Sequence, residues 1–111
     1  MNTKHVKIID PCRNVVATAQ VAKQGDRLAG LIDLDLMPAS LRQQFEEYEE
    51  IVNGQVFSLL DVIEEQIDTL GLRVVFGNGS EAAVEDLQIY PATGRVSFKI
   101  VKEPAQSPTR V

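Results

Sequence analysis

The run Leu31-Ile32-Asp33-Leu34-Asp35-Leu36-Met37-Pro38 places two carboxylates two residues apart inside an apolar stretch. On one face of a strand such a pair lies roughly 7 Å apart, close enough to share a cation or to divide acid and base duties. A hard divalent cation takes six or more oxygen ligands, so Asp33 and Asp35 would supply only part of a cation or ligand site. The plainer reading places both on the solvated face of a strand, where charge also discourages edge pairing.

Other groups able to do chemistry are few. Glu46-Glu47 with Glu49-Glu50, and Glu64-Glu65 with Asp68, fall mostly off an apolar helical stripe, where acidic side chains are simply solvated. Catalysis by paired carboxylates needs them to face each other across a cleft in unlike environments. The single His5 and single Cys12 are too few for zinc, which takes three or four ligands, and a nucleophilic pair also needs an orienting group. Gly77-Asn78-Gly79-Ser80 lacks the Lys-Ser/Thr of a P-loop and the third Gly of the dinucleotide fingerprint, and Glu81, Glu85 and Asp86 would repel a phosphate. It reads as a turn. The expectation is no metal, no cofactor and no catalytic constellation.

Charge narrows the partners. Eleven Lys and Arg against sixteen Asp and Glu give a net charge of −5, which opposes a phosphate backbone, and with no Trp there is no basic, aromatic platform for stacking bases. Nucleic acid is therefore not expected. No apolar run approaches the roughly 20 residues that span a bilayer, so no membrane association is expected either. The first residues lack an apolar signal and the lone thiol has no internal disulfide partner, so the expected compartment is the reducing cytoplasm.

The elements that must position these groups come in three parts. Lys4 to Asp10 reads as a strand followed by turn residues from Pro11 to Asn14, and residues 15–36 read as a hairpin about Gly25-Asp26, where Gly supplies the positive φ of a type II′ turn. That turn sets the register. Gln24 faces Arg27, Val21 faces Gly30, Ala19 faces Ile32, Ala17 faces Leu34 and Val15 faces Leu36, while Thr18–Asp33 and Val16–Asp35 share the other face.

From Ser40 to Leu70 the period becomes helical. Ser40-Leu41-Arg42-Gln43 fits a capping box and Leu70-Gly71 a helix end. The stripe Leu41, Phe45, Tyr48, Val52, Val56, Leu59, Ile63, Ile67, Leu70 keeps its phase through Asn53-Gly54, which predicts one long helix kinked at Gly54, with a two-helix hairpin as the alternative. A helix over those residues would be roughly 46 Å long against about 20 Å for a strand, so part of its stripe would overhang the sheet. Phe57, Leu60 and Val62 widen the second half, making it the expected sheet-packed portion and leaving the first half, around Gln43 to Glu50, in need of another surface.

Strands return at Leu72–Phe76, Ala83–Tyr90 and Arg95–Val101, the last two joined by Pro91-Ala92-Thr93-Gly94 in a register that aligns Ile89 with Val96 and Leu87 with Phe98. The expected fold is α+β: a mostly antiparallel sheet of five to six strands in the order βββ-α-βββ, with one long or kinked helix, or a two-helix hairpin, packed on one face. Residues 1–101 form the domain and 102–111, with Pro104 and Pro108, a flexible C-terminal tail.

The function expected from this pattern is that of a small acidic, non-enzymatic protein–protein interaction module, such as an adaptor, an immunity- or antitoxin-like protein or a regulatory subunit. A partner protein or a second copy of the chain would dock on Phe45, Glu46, Glu47, Tyr48, Glu49, Glu50 and Val52. The alternative is a small-ligand-binding domain or cryptic enzyme using a helix–sheet pocket, with Asp33, Asp35 and Tyr90 at its mouth.

Overall fold

The computed structural model describes residues 3–101, so the expected tail, 102–111, lies outside the described residues. Six strands and two helices follow in the order β1 (Lys4–Ile9), β2 (Val15–Gln24), β3 (Arg27–Asp33), α1 (Ala39–Asn53), α2 (Phe57–Asp68), β4 (Arg73–Phe76), β5 (Glu81–Tyr90) and β6 (Arg95–Ile100). The α+β class and the antiparallel pairing are as the sequence predicts. The sheet, however, closes on itself as a barrel in the order β1-β2-β3-β6-β5-β4, with β4 returning to pair with β1. Closure leaves no sheet edge whose N–H and C=O groups need another partner.

The β2–β3 hairpin has the predicted register from Thr18–Asp33 to Gln24–Arg27, and Gly25 takes φ +65° at the first turn position. Gly30, opposite Val21, is the most crowded of the glycines: a Cβ there would sit 1.9 Å from the Gln20 carbonyl oxygen. Only glycine lets the two backbones come this close.

The ladder ends earlier than expected. β3 keeps its pairing with β2 as far as Asp33, while on its other side the Ile32 N–H donates to the Gly94 carbonyl at 2.9 Å; the chain then turns, the Met37 N–H closing onto Leu34 O at 3.0 Å. The expected pairs of Val15, Val16 and Ala17 with Leu36, Asp35 and Leu34 therefore do not form. Leu36 is exposed, and Met37 takes a place in the core instead. In the second hairpin Tyr90–Arg95 and Ile89–Val96 pair as predicted. A bulge between Glu85 and Gln88, with Asp86 at φ +53°, then breaks the expected Leu87–Phe98 pairing, although both side chains are buried.

Residues 40–70 form two helices, not the one long helix that the continuous stripe favours. Gly54 caps α1, Gln55 turns to φ +58°, and Val56 leads into α2. A non-glycine residue in that left-handed region costs about 1–2 kcal/mol. Packing offsets it: both helices contact β5, and Phe45, Tyr48, Ile63 and Ile67 all join one core cluster with the barrel interior. A straight helix of roughly 46 Å could not bring both ends onto one strand. The capping box is also absent. Pro38 is the N-cap, without a side-chain hydrogen bond, and Ser40 lies inside α1. Gly71, at φ +68°, follows the Thr69 C-cap of α2 by two residues.

Candidate functional site: the exposed flanks of α2

The helices reverse the expected roles of the two halves. Phe45 and Tyr48 on α1 are 0% and 2% exposed, so neither overhangs the sheet. Tyr48 stacks at a tilt on Tyr90 with ring centroids 5.9 Å apart. Burial, and then the neighbouring Tyr90, push the Tyr48 hydroxyl well above the ordinary tyrosine pKa. Glu49, 8% exposed, accepts a hydrogen bond from the Ala92 N–H at 3.1 Å and so fastens α1 to the β5–β6 turn. Three of the seven residues expected to contact a partner thus hold the fold together. Val52 is half-buried, and Glu46, Glu47 and Glu50 remain exposed around a shallow depression with Gln43, where Arg42 reaches Glu46 at 3.3 Å.

It is the second half that faces outward. Val56, Phe57, Leu59 and Val62 are 41%, 64%, 50% and 54% exposed, while Ile63 and Ile67 on the same helix are buried. Helical spacing sorts the exposed residues into two flanks on either side of the buried ridge. Leu59 and Val62 fall on one flank with Gln66, and Ser58 and Glu65 lie beside it along the outermost line of the helix. Phe57 begins the other, followed at helical spacing by Asp61, Glu64 and Asp68.

The acidic flank meets β5 across a groove of about 240 Å³ lined by Glu64, Ile67, Asp68, Glu85, Asp86 and Leu87. Partial burial raises the Glu64 carboxyl above the usual carboxylate range, and the carboxylates of Asp86, Asp61 and Asp68 push it further the same way. The bulge aims Asp86 outward and Arg27 holds it there, donating from Nη1 to Asp86 Oδ2 at 2.6 Å, from Nη2 to the Asp86 carbonyl at 2.7 Å and from Nε to Ser97 Oγ at 2.6 Å. The groove therefore keeps a surplus of negative charge, on the helical flank that the exposed Phe57 begins. Sequence spacing places Asp61, Glu64 and Asp68 on one helical flank. It does not show that a bulge on β5 would bring Asp86 to face them.

The pair at Asp33 and Asp35 does not share a strand face. Asp33 ends β3, and its Oδ1 accepts from the Asp35 N–H at 2.9 Å, so the first carboxylate shapes the turn that carries the second. Both are exposed. Among the described residues no group of three or more His, Cys, Asp or Glu side chains could hold a metal ion. His5 lies near the start of β1, and Cys12 is exposed in the turn beyond the end of that strand, so the two do not form a pair on one element. Tyr90 lies half-buried against Tyr48, with its hydroxyl donating to Gln88 Oε1 at 3.0 Å.

Among the described residues no helix is long and apolar enough to cross a membrane. Comparison with protein-family models, with curated proteins and with solved structures finds no match for this chain.

Proposed function

We propose that this protein is a small, acidic, non-enzymatic interaction module, and that α2 is where a partner protein docks. The observation that carries the reading is the exposure of four large apolar side chains on and beside one helix, Val56, Phe57, Leu59 and Val62, in a protein whose other helix buries its aromatics. Covering the exposed halves of Phe57, Leu59 and Val62 would contribute roughly 3 kcal/mol, a large share of what a compact interface needs at its centre.

Charge selects the kind of partner. A second copy would bring like-charged groups together, whereas a basic rim around an apolar ridge would complement Asp61, Glu64 and Asp68. The partner is accordingly a different protein with Lys or Arg beside apolar residues, as suits an adaptor, an immunity- or antitoxin-like protein or a regulatory subunit. The exposed lone thiol of Cys12 supports a reducing, cytoplasmic setting. The small-ligand reading has less support, because the groove between α2 and β5 is small for a ligand site and lined mainly by like charges.

Co-purification from the native cytoplasm tests the reading, with the wild type beside Leu59→Glu/Val62→Glu and Glu46→Lys/Glu47→Lys variants. A single protein held stoichiometrically, released by salt, lost with the α2 variant and kept with the α1 variant is the expected result. Retention indifferent to α2, no retained protein, or a self-dimer in light scattering that the α2 variant abolishes would each overturn it.

A further inference from the structure

A second surface lies on the opposite side of the charge balance. Along β1 the inward residues Val6 and Ile8 alternate with His5 and Lys7, so the latter two share the outer face of the barrel, with Lys4 at the strand's start. Strand β1 pairs on both sides, with Lys7 between Thr18 of β2 and Val75 of β4. Two adjoining clefts open here, where β1 meets the β4–β5 turn. One of about 480 Å³ is lined by Lys4, His5, Phe76, Gly77, Asn78 and Ser80. The other, about 340 Å³, shares His5, Phe76 and Gly77 and adds Lys7 and Thr18. Both volumes lie in the range of small-molecule sites.

Every ionisable side chain on these two clefts is basic, in a protein of net charge −5. Ion pairs occupy Arg13, Arg27, Arg42, Arg73 and Lys99, and among the described residues they leave out Lys4, Lys7, Lys23 and Arg95, of which Lys4 and Lys7 line these clefts. The carboxylate nearest in sequence, Glu81, is already bound. Arg13 and Arg73 reach it at 2.9 and 2.7 Å, and their hydrogen bonds hold its carboxyl below the ordinary glutamate range. The repulsion expected from Glu81 is thus answered within the fold. In the turn, Asn78 Oδ1 accepts from the Ser80 N–H at 2.9 Å and from Ser80 Oγ at 2.7 Å. Asn78 is exposed, and no described residue accepts from its Nδ2. Gly77 and Gly79 leave the rim without side chains, and Gly79 needs its glycine for φ +89°.

We propose that these clefts form a binding site for a small organic phosphate, with Lys4, His5 and Asn78 around the phosphate in the larger cleft, Lys7 adding positive charge from the adjoining one, and Phe76, which lines both, against its apolar body. Lysine ammonium groups act as point charges with three donors each, and a phosphate monoester, with about −1.5 to −2 charge and three acceptor oxygens, answers two of them better than a carboxylate with a single charge and two oxygens. The site is separate from α2, so either can fail without the other.

The test is an amide-resolved NMR titration with phenyl phosphate, inorganic phosphate, benzoate and phenol. Saturable shifts at Lys4–Lys7 and Gly77–Ser80 are expected with phenyl phosphate, with affinity about tenfold above inorganic phosphate from burial of the ring. Benzoate should bind at least about tenfold more weakly than phenyl phosphate, and phenol should leave these amides unmoved. Lys4→Gln/Lys7→Gln should lower the affinity at least about tenfold, while Lys23→Gln and the α2 double variant should titrate like the wild type. No saturation by about 10 mM phenyl phosphate, shifts spread equally over Lys23 and Arg95, benzoate binding as tightly, or indifference to the Lys4/Lys7 substitutions would overturn it. All of these substitutions are on exposed side chains, and the same spectra report whether the fold is kept.

Discussion

Replacing Gly30 by alanine puts a methyl group where the fold has no room for one. The added Cβ would lie 1.9 Å from the Gln20 carbonyl oxygen and 2.9 Å from both the Gln20 carbonyl carbon and the Val21 Cα. All three obstacles are backbone, so no side chain can rotate away. Strand β3 cannot shift as a unit either, since it is paired with β2 on one side and β6 on the other in a closed sheet. Ordinary overpacking costs about 1–3 kcal/mol, and a backbone clash without a route of relief should reach or exceed the top of that range. A smaller unfolded-state gain of about 0.4–1 kcal/mol from Gly→Ala works in the other direction. The net loss, about 2–3 kcal/mol, is a large part of the roughly 5–15 kcal/mol that stabilises a domain. Urea denaturation followed by far-UV circular dichroism should show the midpoint lowered by about 2 M at an unchanged slope. Gly25→Ala is the comparison: it meets nothing within 4 Å but retains φ +65°, so it should lose about 1–2 kcal/mol from conformation alone. A Gly30→Ala midpoint within about 0.5 M of the wild type, at constant slope, would refute the close approach of β2 and β3.

Phe45→Ala should destabilise by about 3–5 kcal/mol in the same assay, as a buried aromatic does, whereas the exposed Phe57→Ala should change stability by less than about 1 kcal/mol. Glu49→Ala strips the Ala92 N–H of its partner and should cost about 1–3 kcal/mol, with the loss of amide protection at Ala92 visible by hydrogen exchange. Glu81, whose folded pKa is lowered by Arg13 and Arg73, contributes stability that is present above its unfolded pKa and lost as pH falls through its folded pKa; Glu81→Gln should flatten that acid limb in denaturation at stepped pH. Glu64 has the opposite sign: its raised folded pKa means that its charge opposes folding at neutral pH, so Glu64→Gln should raise the midpoint at pH 7 and have little effect once the wild-type carboxyl is protonated.

Local chemistry was legible in the chain wherever one short segment decides it. Gly25-Asp26 sets the first hairpin because the turn and the alternation of its strands agree over residues 18–33, and Pro91 to Gly94 does the same for Tyr90–Arg95. The apolar phase of residues 41–70 was readable too, and Phe45, Tyr48, Ile63 and Ile67 keep to it in the core, but Val56 and Leu59 in the middle of the stripe are exposed. The break at Asn53-Gly54 was not readable, because phase is blind to whether two segments in register lie on one axis. That choice depends on β5 receiving both Tyr48 and Ile67, a contact between residues far apart in the chain.

The proposed binding surfaces divide in the same way. Composition by itself determines an acidic chain with few aromatics, one thiol and no zinc-ligand spacing, and alternation determines that His5 and Lys7 share a face. Tertiary structure alone decided that the aromatics of α1 are core while Phe57 at the start of α2 is exposed, since helical period marks an apolar stripe without saying what covers it. It also decided the charge around the β4–β5 turn. Arg13, Arg73 and Glu81 lie on three separate segments, and only folding brings them together, leaving Lys4 and Lys7 outside the ion pairs. A side chain's type comes with the sequence, but its burial and its counter-charge depend on the neighbours that long-range packing supplies.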